Sequence, residues 1–180
     1  MSRRRRGLLP PIGVAVLAIG VAAALFRLPW LETEIQAMFD PEIFTGAAQA
    51  VDGDTLDVEG RRVRLAGIDA PEMAQTCPGA DGQPRRCGRE ARAALAAFIG
   101  ADVVTCRPVG RDRYDRTLAT CAARGRDLSA WMVSSGWAVA YAGPDGAPFR
   151  AAESAARASG AGLWANGFER PELWRRHREP

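Results

Sequence analysis

Five side chains in this sequence have the types and spacing to work on a phosphate ester. Asp54 opens one extended segment and Asp69 closes another, with a Glu59-Gly60 turn between them. A hairpin over that turn would bring the two carboxylates back together. Paired carboxylates suit a hard, oxygen-seeking cation, and calcium takes carboxylates, backbone carbonyls and water. The Ala70 carbonyl is a third candidate donor. Pro71 fixes its own φ and biases Ala70 toward an extended conformation. Glu72 follows at a distance suited to taking a proton from an attacking water. Arg64 on the third strand and Arg116 in the DRYDR loop could grip a phosphate and offset charge growing on its oxygens. Calcium is the expected cofactor.

Each residue alone has a plainer reading. Asp52-Gly53 is a turn dipeptide. An outward Arg64 would pair with Asp57 or Glu59, a surface contact worth little. Arg116 could belong to a solvated charge run. His177 sits in a charged tail, WRRHREP, and reads as solvated. Trp131, Trp137 and Trp164 read as packing residues. Only the joint placement of the five on neighbouring strand ends favours chemistry.

The elements that must position them follow from periodicity. Strands are expected at 47–51, 55–58 and 61–68, then a helix at 88–99 with Ala91, Leu95 and Ile99 on one face. Further strands are expected at 102–107 and 117–122. Asp127 is the expected N-cap of a helix at 128–135 that stops at Gly136. A short extended piece follows at 137–141, and Pro148 is expected to open a last helix running to Gly160. Val63 and Leu65 alternate with Arg64, so Arg64 falls on the face opposite them. The order predicts an α+β, mostly β fold: a small closed antiparallel barrel of the five-stranded oligonucleotide-binding type, with three helices.

Charge narrows the partner classes. The chain of 180 residues contains no lysine, and its net charge is +3. The first 29 residues carry five arginines and no acid, which leaves 19 basic residues against 21 acidic ones in residues 30–180. The domain therefore lacks the broad basic footprint of a protein that holds nucleic acid by bulk charge. Phosphate contacts must come from a few placed arginines or a bound ion.

Four arginines precede an uncharged run at 7–26. A run of about 20 apolar residues can span a bilayer, with the basic end kept in the cytoplasm. Ala22-Ala23-Ala24 also resembles a small-residue cleavage site, so a removed signal peptide stays open; length favours a retained anchor. The expected organisation is a membrane or signal segment at 1–29, a linker at 30–45, a barrel domain at 46–166 and a charged tail at 167–180. The domain is then exported to the periplasm or cell exterior and tethered to the cytoplasmic membrane by residues 7–28. Cys77, Cys87, Cys106 and Cys121 all follow the export segment. An even count in an exported chain reads as two disulfides, of which sequence allows three pairings. The local pairing joins Cys77 to Cys87 and Cys106 to Cys121. Zinc competes poorly, for there is no CxxC and one histidine.

The ordered motifs VDGDT, VRLAGIDAPE, DRYDR, GWAVAY and GLW resemble those of the thermonuclease (staphylococcal nuclease-like) family, over about residues 47–164. The resemblance implies an oligonucleotide-binding barrel and a calcium-dependent phosphodiesterase that cleaves DNA or RNA to 3′-phosphate products. It assigns calcium to Asp54, Asp69 and the Ala70 carbonyl, general base action to Glu72, and phosphate binding to Arg64 and Arg116. Tyr114 and Tyr141 match positions near the bound nucleotide. Asp115 stands where the family usually has glycine, which is expected to strain the turn and put negative charge beside Arg116. Ala70 stands where threonine is usual, and the loop after Tyr141 lacks the usual tyrosines and basic residues. The competing classes are a catalytically weak nucleic-acid-binding module and an envelope assembly protein. No obligate protein partner is inferred.

Overall fold

The structure, a computed structural model, describes residues 42–178. The predicted membrane segment, the linker as far as residue 41 and the last two residues lie outside the described residues. Among the described residues no helix is long and apolar enough to cross a membrane.

Strand β1 (Phe44–Ala50) pairs antiparallel with β2 (Thr55–Val58) on one side. Its other side pairs with β7 (Val103–Arg111). β2 continues to β3 (Arg61–Leu65), and β7 to β8 (Thr117–Ala123). A parallel pairing of β3 with β8, Val63 opposite Thr117 and Leu65 opposite Ala119, closes the ring. The all-antiparallel closure expected from sequence is corrected here by parity. Five strands that alternate direction leave the first and last pointing the same way. A two-residue strand β9 (Arg126–Asp127) extends β8.

Leu56, Val58, Val63, Leu65 and Val104 fill the barrel interior and are fully buried. Arg64 takes the opposite face, as its alternation predicts. Helix α1 (Cys87–Ile99) adds Ala91, Leu95 and Ile99 to the same core and stops at Gly100, which has φ +60°. Helix α2 (Leu128–Ser134) begins at Asp127, whose carboxylate accepts the Ala130 N–H at 2.7 Å, the expected cap. Helix α3 (Arg150–Ser159) ends on Gly160 in the left-handed region. Trp131 stacks on Phe98 at 4.2 Å between ring centroids, and Trp164 meets Phe168 edge-on at 4.9 Å, so both serve packing.

Several boundaries moved for identifiable reasons. The first strand starts at Phe44, inside the stretch assigned to the linker, because Phe44 and Thr45 pair with Cys106 and Thr105. The fifth element runs on to Arg111 through an irregularity between Pro108 and Gly110. The third strand breaks at Gly67, φ +76°, and resumes as β4 (Ile68–Asp69). β4 leaves the barrel ladder and pairs with β10 (Val139–Ala140), Val139 opposite Asp69. Pro148 lies within a 3-10 turn (Pro144–Phe149) rather than opening the helix. A small ribbon, β5 (Cys77–Pro78) with β6 (Pro84–Arg85), occupies the loop before α1. The tail, read as a charge run, contains a short helix α4 (Pro171–Arg176).

Both local disulfides are formed, Cys77–Cys87 and Cys106–Cys121. Cys106 and Cys121 face each other across β7 and β8, with Cα atoms 4.1 Å apart. That bridge staples the longest hairpin of the barrel. Replacing both cysteines with serine is expected to cost about 3 kcal/mol, the order set by a loop of 15 residues. Urea unfolding of the full chain with and without the pair measures it.

Candidate active site

The turn before β2 sets the first carboxylate. Asp52 accepts the Asp54 N–H at 3.0 Å, and Gly53 lets the turn lie against Ala70 and Ala91, where a Cβ would come within 2.6 Å of the Ala70 methyl. Asp54 is thereby buried, with 3% of its surface exposed. Its Oδ2 accepts the Ala70 N–H at 2.8 Å and its Oδ1 accepts from Arg64 Nη1 at 2.6 Å. The second nitrogen of Arg64, Nη2, donates to Asp69 Oδ1 at 3.0 Å. One guanidinium therefore spans both predicted carboxylates. The surface pairing of Arg64 with Asp57 or Glu59 is corrected. Asp57 instead accepts the Gly60 N–H, and Glu59 the Ala47 N–H.

A second arginine reaches one of these carboxylates, Asp69, and the sequence reading missed it. Arg175 Nη1 and Nη2 donate to the two oxygens of Asp69 at 3.0 and 2.8 Å, and Nη1 also reaches Glu72 Oε1 at 2.7 Å. The signal was present in the tail. Pro171 at a first helical position, Glu172 in the first turn and Arg175 and Arg176 in the last are helix start and stop features. The segment is held by Arg170, which donates to Glu153 at 2.6 Å and to the Ala140 carbonyl at 3.2 Å. Gln75, fully buried, adds a bond from Nε2 to the Glu169 carbonyl at 2.7 Å. His177 is exposed and contacts Glu169 on the outside of this segment.

Glu72 stands on a strap between β4 and β5. Its N–H donates to Gln75 Oε1 at 3.3 Å and its carbonyl accepts the Gln75 N–H at 2.7 Å. Gly88 in the first turn of α1 lies against that strap, so closely that a Cβ would fall 1.8 Å from the Glu72 carbonyl oxygen. The carboxylate itself is partly exposed and turned to the cleft.

The opposite wall is the loop between β7 and β8. Asp112 organises it, accepting the Tyr114 and Arg116 N–H groups at 2.9 Å each and Arg116 Nε at 2.6 Å. Asp115 adopts φ +62°, the strain expected where the family has glycine. Its charge, however, pairs with Arg111 at 3.1 Å; the acid engaged with Arg116 is Asp112. The guanidinium groups of Arg113 and Arg116 lie 4.8 and 5.4 Å from the Tyr114 ring centroid. Tyr141 is brought in by the β4–β10 ribbon, its N–H donating to the Gly67 carbonyl at 2.9 Å. Both tyrosines are exposed. Asp54, Arg64, Ala70, Glu72, Arg116 and Arg175 line one cleft of about 420 Å³, with Tyr114 and Tyr141 at its side. Asp69 touches it through Arg64 and Arg175.

Burial pushes the Asp54 carboxyl up to about 8, against the pull of Arg64 in the other direction. Burial would also raise Asp112, but hydrogen bonds from Arg116 and from the Tyr114 backbone hold it below the usual range. Arg175 is held charged, because bonds to Asp69 and Glu72 outweigh its partial burial. Among the described residues no group of three His, Cys, Asp or Glu side chains is placed to hold a metal. Asp54 and Asp69 nevertheless face one shared guanidinium, an internal cation, and the Ala70 carbonyl follows Asp69 directly in sequence. Two hard carboxylates and a carbonyl fit a divalent cation that keeps positions for water and phosphate.

Residues 62–166 match the staphylococcal nuclease homologue family. The chain belongs to that family. This staphylococcal nuclease homologue is 41% identical, over 125 residues, to the succinoglycan biosynthesis protein ExoI of Rhizobium meliloti (strain 1021), covering 68% of this chain and 65% of that one. It is 35% identical over 132 residues to an uncharacterized endonuclease of Haemophilus influenzae, covering 69% and 68%. It is 35% identical over 143 residues to a micrococcal nuclease of Shigella flexneri, covering 70% and 76%. The match thus spans just under two thirds of the ExoI protein and somewhat more of the other two.

Two outcomes follow for the nuclease homologue. Folding raises the proton affinity of Asp54, so its stabilising contribution is complete below the ordinary value of 3.8 and is lost as pH rises through about 8. In urea unfolding with chelator present, Asp54→Asn should therefore gain on the unmodified protein as pH rises from about 4 to 8. Asp115→Gly should relieve the left-handed strain and raise stability by about 0.5–1 kcal/mol in the same assay, since the exposed pair with Arg111 contributes little.

Proposed function

We propose that this protein is a phosphodiester hydrolase acting on DNA or RNA, with calcium as its cofactor. The observation that carries the reading is Arg64, which sits between two buried aspartates in a cleft that also holds Glu72 and Arg116. Family membership and the nuclease names of the Haemophilus and Shigella relatives support it. Asp54, Asp69 and the Ala70 carbonyl would hold the cation, which supplies Lewis-acid polarisation of the phosphate. Arg64 exchanges its carboxylate partners for phosphate oxygens, and Arg116 approaches from the opposite wall. Glu72 accepts the proton of the attacking water. The new oxygen–phosphorus bond forms as the bond to the 5′-oxygen breaks, leaving a 3′-phosphate. Tyr114 and Tyr141 offer flat faces for the adjoining sugar and base.

We further propose that the domain works outside the cytoplasm, tethered by residues 7–28. The arginine-led apolar run supports this, as do two disulfides of the kind that persist in oxidising compartments. The ExoI relative, a succinoglycan biosynthesis protein, favours a second reading, envelope polysaccharide assembly.

Release of acid-soluble nucleotides from DNA and RNA, followed against added calcium, tests the first reading. The full chain should show calcium-dependent, chelator-sensitive release, and Glu72→Gln should lower kcat by about 100-fold or more with an unchanged thermal melt. No release at any calcium concentration from folded protein would sink it. A polysaccharide defect in cells that Glu72→Gln does not reproduce would favour the second reading.

A further inference from the structure

Arg175 does more at this site than fasten a tail. Its two terminal nitrogens occupy both oxygens of Asp69, and one of them also binds Glu72, so one guanidinium offsets two carboxylates. The two arginines on Asp69 differ in enclosure. The Arg64 side chain is 15% exposed and clasped by two buried acids, whereas that of Arg175 is 32% exposed and open to water on one side. Arg175 is the easier of the two for an entering cation to displace. It is nonetheless delivered by its own chain, because Arg170 on Glu153 and Gln75 on the Glu169 carbonyl hold the segment in place. Such tethering gives the guanidinium a high effective concentration at Asp69.

On the reading of Asp69 as a cation ligand, we propose that Arg175 is a tethered competitor of the metal. It neutralises Asp69 and Glu72 in the metal-free protein, and a divalent cation gains Asp69 by driving the guanidinium off. Two consequences follow from charge alone. A positive side chain a few ångströms from the ion opposes its binding, so the cation is held more weakly than the same carboxylates would hold it without α4. Displacement also frees Glu72, so the carboxylate that accepts the proton becomes available only once the cation has entered. The C-terminal helix thereby sets the cation concentration at which the cleft opens for work.

Calcium titration by calorimetry of the full chain, stripped with chelator, tests this without any turnover. Arg175→Ala should lower the calcium dissociation constant at least about tenfold. Arg175→Lys, a point charge without the fork, should lower it less. Arg170→Ala, which keeps Arg175 but loosens its tether, should lower it a few fold. In chelator, Arg175→Ala should melt below the unmodified protein, and its gain in Tm on adding calcium should be the larger. Unchanged or weaker calcium binding by folded Arg175→Ala would overturn the proposal, and so would the absence of calcium binding in both proteins. Calcium binding with the predicted shift but no phosphodiester cleavage would uphold it and count against the hydrolase reading alone.

Discussion

The structure depends on the cost of placing Asp54 and Asp69 out of water on the same side of a small barrel. Each is 3% exposed; Asp54 and Glu72 line one cleft, and Asp69 meets it through Arg64 and Arg175. A buried carboxylate without a partner is expensive, and such a group takes up a proton or finds a cation. Both responses are visible. Asp54 has its proton affinity raised by burial, and Arg64 and Arg175 converge on Asp69. Strand β3 brings Arg64 to both acids, and the docking of α4 brings Arg175 to Asp69.

The same compensation links the fold to the proposed chemistry. Guanidinium groups that hold carboxylates can equally hold phosphate oxygens, since both acceptors suit the planar fork. A site built this way keeps itself satisfied when empty. In the proposed reaction it would exchange partners as a cation and an anionic ester arrive. The slightly acidic balance of the domain fits that arrangement, because the grip on substrate is concentrated in a few placed side chains rather than spread over a surface.

Much of this was legible from residues alone, and for local reasons. The Asp52-Gly53 turn, the alternation of Val63, Arg64 and Leu65, the Asp127 cap and the two short cysteine spacings are each decided within a few residues. The strain at Asp115 was expected from the family resemblance, which places glycine there. The pairing of Arg64 with Asp54 and Asp69 was missed because strand alternation fixes a face but says nothing of which acid lies beside it. The break at Gly67 was read through, since an isolated glycine in an apolar run does not announce a change of sheet. Arg175 was lost for a different reason: it lies 106 residues from Asp69 and reaches it only by tertiary docking. Short helices of six residues have little stability of their own, and the buried Gln75 that anchors this one resembles any loop glutamine in sequence. Its start and stop residues were readable, but its destination was not.

In the proposed mechanism the buried aspartates share one cation in place of an arginine. Anomalous scattering from crystals of the protein grown with calcium addresses this directly. A peak in contact with both Asp54 and Asp69 is expected, with at least one guanidinium withdrawn from Asp69. Well-ordered crystals at saturating calcium with no peak there, and with Arg64 and Arg175 still closed on the carboxylates, would contradict it.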